Sequence, residues 1–338
     1  MFSGVLILLL FGLLTPLFGA SGPFDAIETE EILVDADTQG IELFVRIKKS
    51  KLKKDHQSPL VLCVHGATYP AETSFDLQLD GFSWLDYMAA RGYIAAILDI
   101  RGYGRSTRPP EMEASPALHS PIVDTAVAVR DVTSAANYLL RKFEKERLNL
   151  IGWSWGTAIM AGYAAKNQEK VSNLVLYAPI WHRQTPSLIS TNKSLGSYRL
   201  VSKEDALLRW SSGLSEDQKK EILNPTWQQI WAEATWRTDP LAMSEGFLRA
   251  PNGVIKDVRE YWQLGLSTYE PTSIVCPTLL VVAQYDKDTP LYMTKALYAR
   301  LSNSNRKSLK ILDTGTHTVM LEKNRLELFE AVDSFMSQ

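Results

Sequence analysis

Between residues 148 and 165 the chain passes from an apolar run into a glycine-flanked serine and then into small, helix-forming residues. The run is Leu148-Asn149-Leu150-Ile151, and the turn is Gly152-Trp153-Ser154-Trp155-Gly156. Thr157-Ala158-Ile159-Met160-Ala161-Gly162-Tyr163-Ala164-Ala165 follows. This order reads as strand, sharp turn, helix. A serine at the tip of so tight a turn is held in a strained backbone conformation. The chain two residues before it and two after come very close, so both positions need glycine. The serine hydroxyl then stands clear of the sheet, and the helix behind it directs N–H groups and its positive end at the same place. A Gly-rich connection with an incidental serine would share the local pattern, so the rest of the chain must decide.

The flanking sequence alternates. Ile27 to Val34 and Ile41 to Ile47 read as a hairpin turned by Asp37-Thr38-Gln39-Gly40. Leu60-Val61-Leu62-Cys63-Val64 is continuously apolar, as in a strand buried on both faces, and ends in His65-Gly66-Ala67-Thr68. Phe82 to Arg91 reads as a helix stopped at Gly92, and Tyr93 to Leu98 as a strand ending in Asp99. Ile122 to Phe143 has helical periodicity, and Val171 to Tyr177 is a further strand. The alternation breaks at about Trp181 and resumes at Pro277-Thr278-Leu279-Leu280-Val281-Val282-Ala283. A helix near Leu291 to Leu301, a strand from Ser308 to Leu312, a loop with His317 and a helix from about Leu321 to Met336 complete the chain. Strands alternating with helices require a parallel sheet covered on both faces. The stretch between Trp181 and Glu270, with six of the nine tryptophans, reads as short helices and loops inserted as a cap over the strand ends.

Composition narrows the function. The 338 residues are 45% apolar and 22% charged with net charge −2, which suits one large globular core and argues against nucleic acid as the main partner. Lys48-Lys49-Ser50-Lys51-Leu52-Lys53-Lys54 reads as a solvated loop, with a basic patch for anionic surfaces as the sharper alternative. Val5 to Phe18 is almost wholly apolar and is followed by Gly19-Ala20-Ser21-Gly22, the pattern of a secretion signal cleaved after Ser21 or after Ala20. A secreted or periplasmic protein is expected. No Lys or Arg precedes the apolar run, so an uncleaved anchor is the alternative, and a membrane is a partner only in that case. The two cysteines, Cys63 and Cys276, fall two strands apart in the expected sheet. At ~4.8 Å per strand they lie beyond disulfide reach and are expected as free thiols.

Four motifs in order resemble the α/β-hydrolase family across nearly the whole chain after the leader. His65-Gly66 resembles the oxyanion-loop motif, and Asp99 through Ser106 resembles the D-x-R-G-x-G-x-S loop of capped hydrolases. Gly152 to Gly156 matches the nucleophile elbow. Tyr285-Asp286-Lys287-Asp288-Thr289-Pro290 and Gly315-Thr316-His317 resemble the acid and histidine loops. The resemblance implies a mostly parallel eight-stranded sheet with helices on both faces and a helical cap. The expected division is a signal at 1–21, core at 22–180, cap at 181–270 and core again at 271–338. It also implies Ser154 as nucleophile, His317 as base and Asp286 as the orienting acid, with Asp288 the second candidate. A free hydroxyl is a poor nucleophile at neutral pH, imidazole can take its proton, and a carboxylate fixes the imidazole tautomer. His56, His65, His119 and His182 lack that chain position, and a structural hydrogen bond is expected for His65. The backbone N–H groups of Trp155 and Ala67, with Thr68 as alternative to Ala67, are the expected oxyanion donors. Asp99 and Arg101 read as a structural brace, with Arg101 on a nearby carboxylate.

No metal-ligand spacing and no phosphate loop occurs, so no cofactor and no metal is expected. The partner is a small-molecule ester or amide. An ester is the first reading, with Trp153 and Trp155 standing to narrow its pocket. An iminopeptidase-like aminopeptidase or amidase is the second, because Ser154-Trp155-Gly156 resembles that elbow, although Thr157 stands where a second glycine is usual. Such an enzyme needs cap carboxylates for the substrate ammonium, and Glu204, Glu233 and Glu245 are candidates. A non-catalytic binding protein on the same fold is the third reading. The cap carries eleven basic and eleven acidic residues, so its net charge selects for no ion. Asn192-Lys193-Ser194 is a glycosylation sequon, relevant only in a eukaryotic secretory route.

Overall fold

The computed structural model describes Phe24 and residues 26–189 and 194–338. The expected signal and the residues Asn192 and Lys193 of the sequon lie outside them. Eight strands form one sheet: β1 (Ile27–Asp35), β2 (Glu42–Ser50), β3 (Leu60–Val64), β4 (Ile94–Leu98), β5 (Leu148–Trp153), β6 (Val171–Tyr177), β9 (Thr278–Ala283) and β10 (Lys307–Leu312). Their spatial order is β1-β2-β4-β3-β5-β6-β9-β10, and only the β1–β2 and β2–β4 pairs are antiparallel. This is the expected mostly parallel, eight-stranded α/β architecture.

The strand pleat explains the two layers of core. In β3, Leu60, Leu62 and Val64 join the apolar cluster on one face, while Val61 and Cys63 join the cluster on the other. The first face is covered by α3 (Thr125–Lys142), α4 (Trp155–Lys166) and α10 (Leu291–Arg300). The second is covered by α1 (Ala71–Phe75), α2 (Trp84–Ala90) and α11 (Arg325–Met336). Ser83 starts α2 with a capping box: its hydroxyl accepts from the Asp86 N–H at 3.0 Å and Asp86 answers on the Ser83 N–H. Cys63 and Cys276 are buried free thiols with β5 and β6 between them in the sheet order. Burial pushes the Cys276 thiol up to about 11 and Cys63 higher still.

Two expectations need correction. Lys48 and Lys49 belong to strand β2 rather than to a loop, and the buried Lys48 ammonium lies 2.6 Å from Asp76 and 2.7 Å from Asp86. Residues 181–270 are not all short helices and loops. They hold α5 (Lys203–Trp210), α6 (Glu216–Ile222), α7 (Pro225–Trp236), α8 (Pro240–Glu245) and α9 (Gly253–Glu260). They also hold an antiparallel ribbon of β7 (Tyr198–Ser202) and β8 (Phe247–Pro251). The two strands are separated by four helices in sequence, so no local hairpin signal marks their pairing.

The loops that carry His65, Ser154, Asp286 and His317 leave the carboxyl ends of β3, β5, β9 and β10. In a parallel sheet this is the end where the crevice between crossover connections opens.

Candidate active site

Ser154 closes β5 and caps α4 with φ 56° and ψ −119°, a left-handed conformation that a side chain with Cβ rarely takes. The turn is held by its surroundings. A Cβ on Gly152 would stand 2.3 Å from the Gly156 carbonyl oxygen, and one on Gly156 would stand 2.4 Å from that of Val64. Both contacts are with backbone, so only glycine fits. Thr157 occupies the position where the iminopeptidase-like resemblance implies a second glycine. Its hydroxyl donates to the Ser154 carbonyl at 2.5 Å and accepts from the Ile180 N–H at 3.2 Å. The departure from the usual pattern therefore adds a clamp on the serine's own peptide.

The histidine and acid loops meet beside it. His317 Nδ1 lies 2.8 Å from Asp286 Oδ2. The carboxylate is itself fixed: Oδ1 accepts the N–H groups of Asp288 at 2.9 Å and Thr289 at 2.8 Å, and Oδ2 accepts the Thr289 hydroxyl at 2.9 Å. With one oxygen tied to two backbone donors, the other is presented to the imidazole. Trp153 Nε1 and the Tyr177 hydroxyl both donate to the His317 carbonyl, at 2.9 and 2.8 Å, and hold the residue from behind. Burial pulls the imidazolium down, but the carboxylates of Asp286 and then Asp288 outweigh it, so His317 titrates above its ordinary value. Among the described residues Asp288 makes no hydrogen bond to the imidazole. It pairs with Arg209 of α5, Nε to Oδ1 at 2.9 Å.

Ser154 and His317 line one narrow cavity, together with Gly66, Ala67, Thr68, Tyr69, Trp153, Arg209, Trp210, Trp231 and Asp288. The space open to the centre of a water molecule is about 20 Å³, room for about one water, so the cavity beside the serine is narrow. Tyr69 meets Trp231 edge to face at 4.8 Å, and Trp231 meets Trp210 in the same manner at 5.1 Å.

The oxyanion loop is set by His65. Its Nε2 accepts the Ile100 N–H at 3.1 Å, so Nδ1 carries the proton and donates to the Gly66 carbonyl at 2.7 Å. A trans peptide places N–H opposite C=O, so fixing the Gly66 carbonyl also fixes the direction of the Ala67 N–H. Burial brings His65 down to about 4 and keeps it neutral at physiological pH. The next carbonyl, that of Ala67, accepts the Tyr103 hydroxyl at 2.9 Å and Arg199 Nη2 at 2.6 Å. Trp155 is the first residue of α4, where the backbone N–H has no partner within the helix.

Comparison with known proteins fits this architecture. The family described as "Serine aminopeptidase, S33" matches residues 60–324, which include all four loops. The chain belongs to this family of α/β-hydrolases. Among solved structures it resembles a carbazole-degradation serine hydrolase, CarC, at 18% identity and TM-score 0.61, covering 92% of this chain and 99% of that one. It resembles the enol-lactonase of Burkholderia xenovorans LB400 at 14% identity and TM-score 0.60, covering 91% and 100%. It also resembles an esterase of Thermogutta terrifontis at 14% identity and TM-score 0.59, covering 91% and 98%. At these identities the likeness is one of fold. A search of curated protein sequences finds no match.

Several side chains of this α/β-hydrolase lie elsewhere than the sequence suggested. Trp155 does not narrow the cavity: its ring is fully buried, with Nε1 donating to the Thr125 hydroxyl at 2.9 Å. Trp153 does line it. Of the six tryptophans of the inserted segment, Trp210 and Trp231 reach the cavity. Glu204, Glu233 and Glu245 are exposed and are not among the lining residues. His56 and His119 are exposed, and His182 stacks on Trp181 at 4.4 Å. Asp99 braces the loops, accepting the Ala71 N–H at 2.8 Å and the Arg105 N–H at 3.0 Å. Arg101 donates from Nε to the buried Asp131 at 2.8 Å. Among the described residues no group of three His, Cys, Asp or Glu is placed to hold a metal ion.

Proposed function

We propose that the chain is a serine hydrolase that cleaves a carboxylic ester through an acyl-enzyme. Ser154 is the nucleophile, His317 the general base and Asp286 the orienting acid. Ser154 Oγ attacks the ester carbonyl carbon while its proton passes to His317 Nε2. The negative charge on the carbonyl oxygen is met by the backbone N–H groups of Trp155 and Ala67. Collapse expels the alcohol, which takes the proton from His317. Water, activated by the same imidazole, then attacks the acyl carbon and releases the acid and Ser154. The observation that carries this reading is the 2.8 Å contact of Asp286 with Nδ1 of a histidine that shares a cavity with the strained Ser154. An aminopeptidase reading is less well supported, because Glu204, Glu233 and Glu245 lie outside that cavity and Asp288, which lines it, is paired with Arg209.

Residues 181–270 are proposed to act as the cap that selects the substrate, since the core supplies only generic acyl-transfer groups. Residues 1–21 are proposed as a cleaved signal for secretion or periplasmic export, which mass spectrometry of the exported protein tests: an intact Met1 refutes it. For the reaction, a panel of p-nitrophenyl esters and aminoacyl anilides is compared in wild type and Ser154→Ala. Ester turnover that vanishes with Ser154 is expected. Turnover of anilides but not esters reverses the order of the two readings, and activity retained by Ser154→Ala refutes the mechanism.

A further inference from the structure

Arg209 lines the Ser154 cavity beside Asp288, and two further guanidinium groups, those of Arg199 and Arg183, stand behind its wall, bonded to residues that line it. Arg209 is engaged by Asp288 at Nε and, at 2.7 Å, at Nη2, while its Nη1 carries no hydrogen bond among the described residues. Arg199 of β7 is half-buried against uncharged acceptors: the Pro251 carbonyl at 2.7 Å, the Ala67 carbonyl at 2.6 Å and the Thr68 hydroxyl at 2.9 Å. Arg183 donates to the Asp288 main-chain carbonyl at 2.9 Å and to the carbonyls of Thr185 and Pro186. Among the described residues neither Arg199 nor Arg183 has a carboxylate within ion-pair distance. The other carboxylate nearby, Asp286, is committed to His317.

The consequence is that two half-buried guanidinium groups without a carboxylate partner stand behind the wall that Arg209 and Asp288 share. Burial pulls the Arg199 guanidinium below its ordinary value, and repulsion from Arg209 adds to this. A buried charge without a counter-ion is costly, and the same low-dielectric surroundings that make it costly strengthen its attraction for an anion that enters. Tyr69, Trp210 and Trp231 form the apolar part of the same wall. The field is more than the oxyanion of the transition state requires, since backbone N–H groups suffice for that charge.

Resting on the ester-hydrolase reading above, we propose that the substrate is an ester bearing a compact anionic group, a carboxylate or a phosphate. Arg209 is the specificity-determining contact, its free Nη1 edge meeting the anion. Arg199 and Arg183 supply the surrounding field. A guanidinium suits both anions because its N–H groups form charge-assisted bonds to paired oxygens.

The test uses two matched pairs of esters on the full chain. The mono-p-nitrophenyl ester of glutaric acid is compared with its methyl-capped form, which places the anion on the acyl side. Butyryl phosphoglycerol is compared with butyryl glycerol, which places it on the alcohol side. One charged member should exceed its neutral partner in kcat/KM by about tenfold or more. That ratio should fall toward unity in Arg209→Met combined with Asp288→Asn, which removes both charges of the pair together. Arg209→Lys, which keeps charge but loses the fork, should give an intermediate ratio. Protection of Ser154 from a fluorophosphonate label by glutarate, against glutaramide, reads the same subsite without turnover. Ratios within about twofold for both pairs, a ratio unchanged in the double variant, or equal protection by glutarate and glutaramide would overturn the proposal while Ser154-dependent ester turnover still stood. Turnover that persists in Ser154→Ala would instead remove the ester-hydrolase reading on which it rests.

Discussion

Replacing Asp286 by asparagine is the sharpest perturbation of the site, because the hydrogen bonds dictate how the amide must sit. In the wild type every group that meets this carboxylate is a donor: two backbone N–H groups at Oδ1, and the Thr289 hydroxyl and His317 Nδ1 at Oδ2. An amide has one acceptor oxygen. Placing its NH₂ at the Oδ1 position would oppose the backbone N–H groups of Asp288 and Thr289, which cannot turn away. The amide oxygen therefore takes that position and the NH₂ faces His317. The imidazole must then present the Nδ1 lone pair, so its proton moves to Nε2, the atom that should receive the Ser154 proton. The base is left in the wrong tautomer while the geometry is preserved. In a serine-protease triad this exchange costs about ten-thousandfold in kcat, or about 5 kcal/mol of barrier, and a loss of that order is expected here. Steady-state hydrolysis of p-nitrophenyl butyrate measures it, with the thermal midpoint as a check on folding. Asp288→Asn, which breaks the pair with Arg209 but leaves the Asp286–His317 contact, should lose less. A folded Asp286→Asn variant within about tenfold of wild type, or a larger loss in Asp288→Asn, would refute the reasoning.

Two further outcomes follow from buried groups around the elbow. Gly156→Ala places a Cβ 2.4 Å from the Val64 carbonyl oxygen and 2.7 Å from that of His65, so β3 and the oxyanion loop must shift. A loss of about 1–3 kcal/mol in stability and a fall in kcat/KM are expected, read from urea melts and ester hydrolysis; a variant with wild-type stability contradicts the packing argument. Glu322 is fully buried beneath the histidine loop, accepting Trp210 Nε1 at 2.9 Å and the Thr316 N–H at 3.0 Å, and burial raises its carboxyl from 4.5 to about 7. The folded state therefore binds a proton that the unfolded state has released between those values. The stabilisation is fully present below the unfolded pKa and is lost as pH rises through the folded one. Trp210 Nε1 and the Thr316 N–H are both donors, so the amide of Glu322→Gln opposes one of them and costs stability at every pH, but the difference from wild type should move in the variant's favour by up to about 3 kcal/mol between pH 5 and pH 8. A stability difference that stays flat over that range would show that the carboxyl is not held protonated.

What could be read from the sequence, and what could not, divides along a physical line. The elbow was legible because its constraints are local: Gly152 and Gly156 lie within two residues of Ser154, and the close approaches that exclude a Cβ are fixed by the turn itself. The buried strands were legible because a parallel strand covered on both faces must be apolar throughout, as β3 and β9 are. The contact of Asp286 rather than Asp288 with His317 followed from chain position on a family pattern. The Arg209–Asp288 pair had no such signal, because it joins positions 79 residues apart. Arg199 is the same case, reaching Ala67 across 132 residues. Counting charges concealed both. The inserted segment balances eleven basic against eleven acidic residues, yet the balance is not kept in space. Arg209 lines the serine's cavity and Arg199 bonds to Ala67 and Thr68 of its wall, while Glu204, Asp205, Glu216, Glu233 and Glu245 remain exposed. Net charge is a sum over a segment, whereas a substrate meets only the charges that face it. A neutral cap can therefore set an arginine at its inner wall, and the electrostatics of such a cap has to be read from which side chains stand near the nucleophile.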